Sequence, residues 1–205
     1  MLGRKVLHFK NVLFVALFFL AVVVGSAPVR AEQSSHRYDD ESSAEFRVSA
    51  VLRGRVDFWK DIFTRYGAAQ MVVHHRDFPQ IVFGVIDLSK EKANLTAAQF
   101  EKHKSNVAKS TIKEIEAQLQ SLAKGENVES AFQARVKAEL LRRGLPVSVV
   151  SRWVKDGLIR TQTGIRERYA EAIQRAWRYM PVMEEIFVKE FGLPKELTRL
   201  PFIES

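Results

Sequence analysis

The chain has 205 residues, of which 46% are hydrophobic and 27% charged, a balance that excludes wholesale disorder and allows one domain with a sizeable core. It contains no cysteine, which excludes disulfides, thiolate metal sites, cysteine nucleophiles and the lipid-modified cysteine of a lipoprotein. The net charge of +8 falls to +4 without the first 31 residues, which hold four bases and no acid. Nucleic acid is therefore not an expected partner.

Residues 1–31 have the three parts of a secretory signal peptide. Three basic residues lie among the first ten, residues 12–24 form an apolar run, and short side chains precede an expected cleavage after Ala31. The run is shorter than the roughly 20 residues of a spanning helix, so an uncleaved anchor is the less favoured alternative. The sequence predicts an exported protein in which the polar residues 32–44 are a linker.

The helical pattern begins at Glu45. Apolar residues recur every three or four positions and predict an amphipathic helix over residues 45–66, which Gly67 ends. A long helix is predicted from an N-cap at Thr96 to a stop at Gly125.

Two shorter helices are predicted after the long one. The first spans residues 128–143 and ends at Gly144, and the second begins at Pro146 and carries Trp153. The fold class that follows is mainly α.

One small β-hairpin is predicted after the first helix. Residues 70–74 and 81–87 are rich in β-branched and aromatic side chains and flank the turn sequence "RDFP". The first strand ends in His74 and His75, which together with Asp77 could supply metal ligands. Adjacent strand residues point to opposite faces, however, so a polar strand end without a metal is favoured.

Residues 165–191 carry the strongest helical pattern in the chain. Pro181 lies inside this pattern and is expected to kink or split the helix, which Gly192 then ends. Residues 45–191 are thus predicted to be a helical N-terminal region with one small β-hairpin.

Basic residues provide one further candidate binding surface, whereas the common catalytic and phosphate-binding motifs are absent from the sequence. The pair Arg142–Arg143 and the basic residues from Arg152 to Arg160 could contact an acidic polymer, although a solvated face is the favoured interpretation. The sequence contains no glycine-rich phosphate loop, His-Glu-x-x-His motif or nucleophile elbow, so no cofactor is expected.

The last stretch, "GLPKELTRLPFIES", combines an apolar pattern with an acid. If Pro194 opens a helix, Leu197, Leu200 and Glu204 fall on one face. Burial against apolar walls raises the pKa of a carboxyl group, as a general acid near neutral pH requires. A solvated glutamate at a frayed end is the alternative.

This stretch resembles the opening of the catalytic domain in bacterial lytic transglycosylases, which are similar to goose lysozyme. The family's ordered series of short motifs finds matches here in Gly192-Leu193-Pro194, Glu196-Leu197, Leu200-Pro201 and Glu204-Ser205. The preceding "GIRERYAEAIQRAWRYMPVMEEIFVKEF" also resembles what leads to this series. The match is close over residues 164–205. The resemblance identifies residues 192–205 as the first helix of a lysozyme-like domain.

The resemblance implies an activity, a site and a partner. The enzyme would cleave the β-1,4 bond from N-acetylmuramic acid to N-acetylglucosamine in peptidoglycan strands, in the periplasm or envelope of a Gram-negative bacterium. Glu204 would protonate the glycosidic oxygen and then accept the proton of the muramoyl C6 hydroxyl, which attacks C1 and leaves a 1,6-anhydro end. Ser205 would orient the glutamate or the substrate. Most glycosidases need a second carboxylate, which either activates a water molecule or attacks the sugar, whereas the reaction of this family needs only one.

The family pattern continues well past its glutamate, with further motifs and aromatic sugar platforms. A helix that stops one residue after its acid has no walls to desolvate that acid, so residues 192–205 are expected to be the start of a truncated catalytic domain. The 205-residue chain itself is expected to be inactive, with at most a loose association with the envelope. The alternative is a non-catalytic exported module that binds the cell wall or an envelope protein.

Overall fold

The computed structural model describes residues 46–125 and 130–200. The predicted signal peptide, the linker, and the site residues Glu204 and Ser205 lie outside the described residues. Within them the protein is mainly α-helical with a small antiparallel sheet, which confirms the predicted fold class.

The first helix and the predicted hairpin are both present. Helix α1 (Ala50–Thr64) begins five residues later than the apolar pattern suggested and ends close to Gly67. Strands β1 (Gln70–His75) and β2 (Val82–Asp87) pair antiparallel.

The pairing of β1 with β2 contains one bulge. Val73 pairs with Gly84, but His74 pairs with Val82, so Phe83 is the extra residue on β2. The Arg135 guanidinium donates to the free carbonyl oxygen of Phe83 at 2.6 Å. A long side chain from a later helix therefore satisfies the carbonyl that the bulge leaves unpaired.

The long helix has the predicted boundaries. A short helix α2 (Ser89–Asn94) precedes α3 (Ala97–Lys124). The Thr96 hydroxyl accepts from the Gln99 N–H, and the Gln99 side chain accepts from the Thr96 N–H, which forms a capping box. Gly125 follows at φ +70°, a left-handed conformation that favours glycine and ends the helix.

Two further helices and a third strand follow. They are α4 (Ala131–Arg142), α5 (Val149–Lys155), which carries Trp153, and β3 (Ile159–Thr163). The sheet order is β2-β1-β3, with β3 antiparallel to β1. Only the hairpin was predictable from the sequence, because β3 is a short, mostly polar segment without a strong pattern of its own.

The predicted helix over residues 165–191 is divided, as the interior proline suggested. Its parts are α6 (Arg166–Ala176), a 3-10 turn (Trp177–Tyr179), α7 (Met180–Glu184) and a π-helix (Glu185–Glu190). Pro181 lies in the first turn of α7, where its missing N–H leaves no helical hydrogen bond unmade.

The central strand β1 is covered on both faces. Side chains alternate along a strand, and Val72 packs with Phe58 and Ile62 of α1, whereas Val73 belongs to the larger cluster on the other face. That cluster is formed by α3, α4, α5 and the strands. Its buried members are Val73, Ile81, Phe83, Ile115, Leu119, Leu122, Val136, Leu140, Val150, Trp153, Leu158 and Ile159.

Among the described residues, no helix has the length and apolarity that crossing a bilayer requires. The apolar run over residues 12–24 lies outside the described residues.

Candidate functional site

The segment that leads to Glu204 is described as far as Leu200. Gly192 adopts φ +62° and ends the π-helix, and the Leu193 N–H then donates to the Phe187 carbonyl oxygen at 2.8 Å. A 3-10 helix (Lys195–Arg199) follows Pro194. The glycine and the proline therefore have the roles that the sequence predicted, but the described part of the last helix is 3-10 rather than α.

Side-chain contacts hold this 3-10 helix against α7. The Arg199 guanidinium donates to a Glu184 carboxylate oxygen at 3.0 Å and lies 3.2 Å from the Met180 sulfur. Thr198 is fully buried, and its hydroxyl donates to the Lys195 carbonyl oxygen at 2.6 Å. These contacts hold the 3-10 helix over residues 195–199 in place next to α7.

The expected apolar face of this segment is not the buried one. Leu200 is 50% exposed and Leu197 is only partly buried, whereas Thr198 between them has no exposed surface. Arg199 packs onto Met180, so the helix turns its 198–199 side towards α7. Leu197 and Leu200 lie on one face, because residues i and i+3 coincide on a 3-10 helix, but Leu200 on that face is half exposed, and Glu204 lies outside the described residues.

The C-terminal elements expose much apolar surface. Within α6, no residue is buried, and in α7 only Met180 is. Large exposed apolar patches mark surfaces that contact other molecules. The exposed large apolar residues of this region are Trp177, Tyr179, Val182, Ile186, Val188, Phe191, Leu193 and Leu200.

The two adjacent histidines point to opposite faces of the sheet, as predicted. The His74 ring lies 4.7 Å from the Phe58 ring of α1, and the His75 ring lies 4.7 Å from the Trp153 ring of α5, edge to face. They are the last two residues of β1, so this strand end is polar as predicted, but both are buried, with 8% and 1% of their surface exposed. The described residues contain no group of three or more side chains suited to a metal ion.

Hydrogen bonds assign the proton positions of both rings. The N–H groups of Asp77 and Phe78 donate to His75 Nδ1 at 3.1 and 3.2 Å, so that nitrogen must be unprotonated. His74 Nδ1 lies 3.0 Å from the His75 carbonyl oxygen and therefore carries its proton. Burial lowers the pKa of both histidines, although the bond to the carbonyl oxygen partly opposes this for His74.

A polar cleft of about 260 Å³ lies where the α1–β1 loop meets the start of α6. The Glu167 carboxylate accepts from the Ala68 N–H at 3.0 Å and from Arg166 at 2.8 Å. A methyl group on Gly67 would collide with Glu167. This junction was not predicted from the sequence, because its two sides are about a hundred residues apart along the chain. Its polar groups bond to one another, which indicates a structural junction.

Three of the basic residues that could contact an acidic polymer are ion-paired. Arg142 and Arg143 both bind the Glu139 carboxylate, and Arg152 binds Asp156 at 3.2 Å. Burial raises the pKa of Glu139, but the hydrogen bonds from the two arginines outweigh this and hold it below its usual value. The solvated-face interpretation therefore fits these residues better than a binding patch.

Comparison with known proteins identified no matching family model, and no significant match among curated proteins or solved structures.

Proposed function

We propose that this chain is the N-terminal part of an exported peptidoglycan lytic transglycosylase. The observation that carries the proposal is the ordered series Gly192-Leu193-Pro194, Glu196-Leu197, Leu200-Pro201 and Glu204-Ser205, read together with the segment before it. Gly192 adopts the left-handed conformation that favours glycine, and Pro194 directly precedes the 3-10 helix over Lys195–Arg199. The backbone at these two positions of the series therefore suits the residues found there, which supports the proposal.

In this proposal Glu204 is the single acid and base of the reaction. Its acid form protonates the oxygen that links N-acetylmuramic acid to N-acetylglucosamine. Its carboxylate then accepts the proton of the muramoyl C6 hydroxyl as that oxygen bonds to C1, giving the 1,6-anhydro product. Ser205 orients the glutamate or the sugar. A reaction of this kind needs a desolvated carboxyl group, since only a raised pKa keeps it protonated near neutral pH.

The 205-residue chain is proposed to be inactive by itself. The 3-10 helix before Glu204 is one short turn, and Leu200 is half exposed, so this segment offers no apolar walls for a glycan cleft. The proposal therefore concerns a longer parent protein, in which the reading frame continues past Ser205 into the rest of a transglycosylase domain.

The experiment has two steps. The nucleotide sequence beyond codon 205 is read, and the complete reading frame is expressed and incubated with purified peptidoglycan sacculi. Mass spectrometry should detect 1,6-anhydromuropeptides, and Glu204→Gln should reduce their rate of release by at least about a hundred-fold, since a general acid alone supplies about 10²–10⁴-fold. Glu190→Gln is the matched control. Full activity of Glu204→Gln would overturn the assignment.

A second candidate is a non-catalytic module that binds the cell wall or an envelope protein. The exposed Trp177, Tyr179 and Phe191 favour it, because large exposed apolar side chains are common at binding surfaces. In this case the chain should sediment with purified sacculi, with or without added salt. A chain that stays wholly in the supernatant would count against cell-wall binding.

A further inference from the structure

His75 holds the turn between β1 and β2 in place. Its Nδ1 atom accepts the N–H groups of both Asp77 and Phe78, which lie in the first half of the turn. The backbone N–H of His75 donates to the Ile81 carbonyl oxygen at 3.0 Å, so the residue binds both ends of the turn. The His75 ring thus accepts hydrogen bonds from backbone N–H groups of the turn, as an N-cap side chain does at the start of a helix.

The ring cannot accept a proton in this position. Protonation would place an N–H at Nδ1, facing two N–H groups of the backbone. The other nitrogen, Nε2, is already a buried donor without a hydrogen-bond partner among the described residues. With 1% of the residue exposed, water does not reach the ring to compensate.

The geometry points to an acid-sensitive turn: we propose that protonation of His75 releases the Asp77 and Phe78 N–H groups and opens residues 76–80 while the helical core stays folded. Opening lets the charged ring reach water. It also frees the Asp77 carbonyl oxygen from the Arg55 guanidinium of α1, which binds it at 3.0 Å. The turn would then detach from both layers that cover β1.

Burial, more than the neighbouring charges, keeps the His75 ring neutral. Burial is the largest influence that lowers the pKa of His75; Asp77 opposes it, and Arg76 and His74 assist it. Asp77 is itself bound by Arg76 at 2.8 Å, which weakens its pull on the ring. The elements packed around the ring also carry charges: Arg152 and Lys155 on α5, Asp156 directly after it, Arg160 on β3 and Arg55 on α1.

The test is amide hydrogen exchange by NMR on the purified chain between pH 7.5 and 5. The protection factors of the Asp77 and Phe78 amides should fall by about ten-fold per pH unit once the pH is below the onset of ring protonation. In His75→Asn, an amide oxygen replaces Nδ1 as acceptor and cannot titrate, so protection should not change with pH. His103→Asn, on α3, is the matched control and should behave like the native chain.

Two results would overturn the proposal. One is protection at Asp77 and Phe78 that stays constant with pH in the native chain or falls equally in His75→Asn. The other is an equal fall at Leu119 in the core, which would mean global unfolding. If His75→Asn does not fold, the ¹⁵N shifts of the native ring decide. They must show an unprotonated Nδ1 at pH 7.5, and the two amide shifts must follow the ring's titration.

Discussion

The Arg199 Nη2 atom lies 3.0 Å from the Glu184 Oε1 atom, and this ion pair joins the last described 3-10 helix to α7. Both side chains are about half exposed, so the pair contributes little to global stability. Its consequence is local, because it fixes the segment that leads to Glu204.

Glu184→Gln should therefore change local order more than stability. We expect the free energy of unfolding to fall by at most about 1 kcal/mol, with faster exchange at the Leu197 and Leu200 amides. Glu185→Gln is the control, since Glu185 pairs with Lys189 within the same helical stretch. Hydrogen exchange detected by mass spectrometry compares the amide exchange of the two variants. Equal exchange in the two variants would show that Arg199 does not anchor this segment through Glu184.

Gly164 is required by close packing. A methyl group there would collide with the Tyr66 carbonyl group, while one on Gly84 in β2 would meet no atom within 4 Å. Gly164→Ala should lower the free energy of unfolding by about 1–3 kcal/mol, in the range of overpacked sites. Gly84→Ala should change it little. Urea denaturation of both variants tests this, and equal midpoints would contradict it.

Neighbouring leucines on α4 provide a test of the core. Leu140 is 1% exposed and belongs to the main cluster, while Leu141 is 81% exposed. Leu140→Ala should lower the free energy of unfolding by about 2–5 kcal/mol through lost contacts and a cavity. Leu141→Ala should change it by about 0.5 kcal/mol or less. Thermal or urea unfolding distinguishes the two, and a similar loss in both would contradict the packing of α4.

Stability should fall on mild acidification because of the two buried histidines. Burial lowers the pKa of His74 and His75 in the folded chain, whereas in the unfolded chain they titrate near 6.5. Below about pH 6.5 the unfolded chain therefore binds more protons. The free energy of unfolding should fall by up to about 1.4 kcal/mol per pH unit for each histidine, until the pH passes the lowered pKa values. Above about pH 7 the histidines contribute no pH dependence.

Urea denaturation at pH 7 and 5.5 measures this slope. His75→Asn should remove about half of it. A free energy of unfolding that is the same at both pH values would be incompatible with two buried neutral histidines.

Local signals predicted most of the helices well. Thr96 and Gly125 end α3 where the sequence placed its boundaries, because a cap bonds to residues within one turn of itself. Pro181 divides the C-terminal helix for a similarly local reason. Strand alternation likewise placed His74 and His75 on opposite faces, since it depends only on the backbone.

Contacts between distant parts of the chain were not predictable in this way. Strand β3 exists because it pairs with β1, from which it is separated by more than eighty residues. The junction of Gly67 with Glu167 and the Arg135 bond to the Phe83 carbonyl oxygen are also made across long separations. No signal in the neighbouring sequence marks such partners.

Patterns along the chain were enough to predict the helical class, the caps and breaks and the hairpin, and they include the motif series on which the proposed function rests. Burial was not predictable from these patterns. The fold buries the two histidines at the end of β1, and it buries Thr198 while Leu200 stays half exposed. The physical reason is that helix and strand signals act over a few residues, whereas burial depends on which distant elements pack against a side chain.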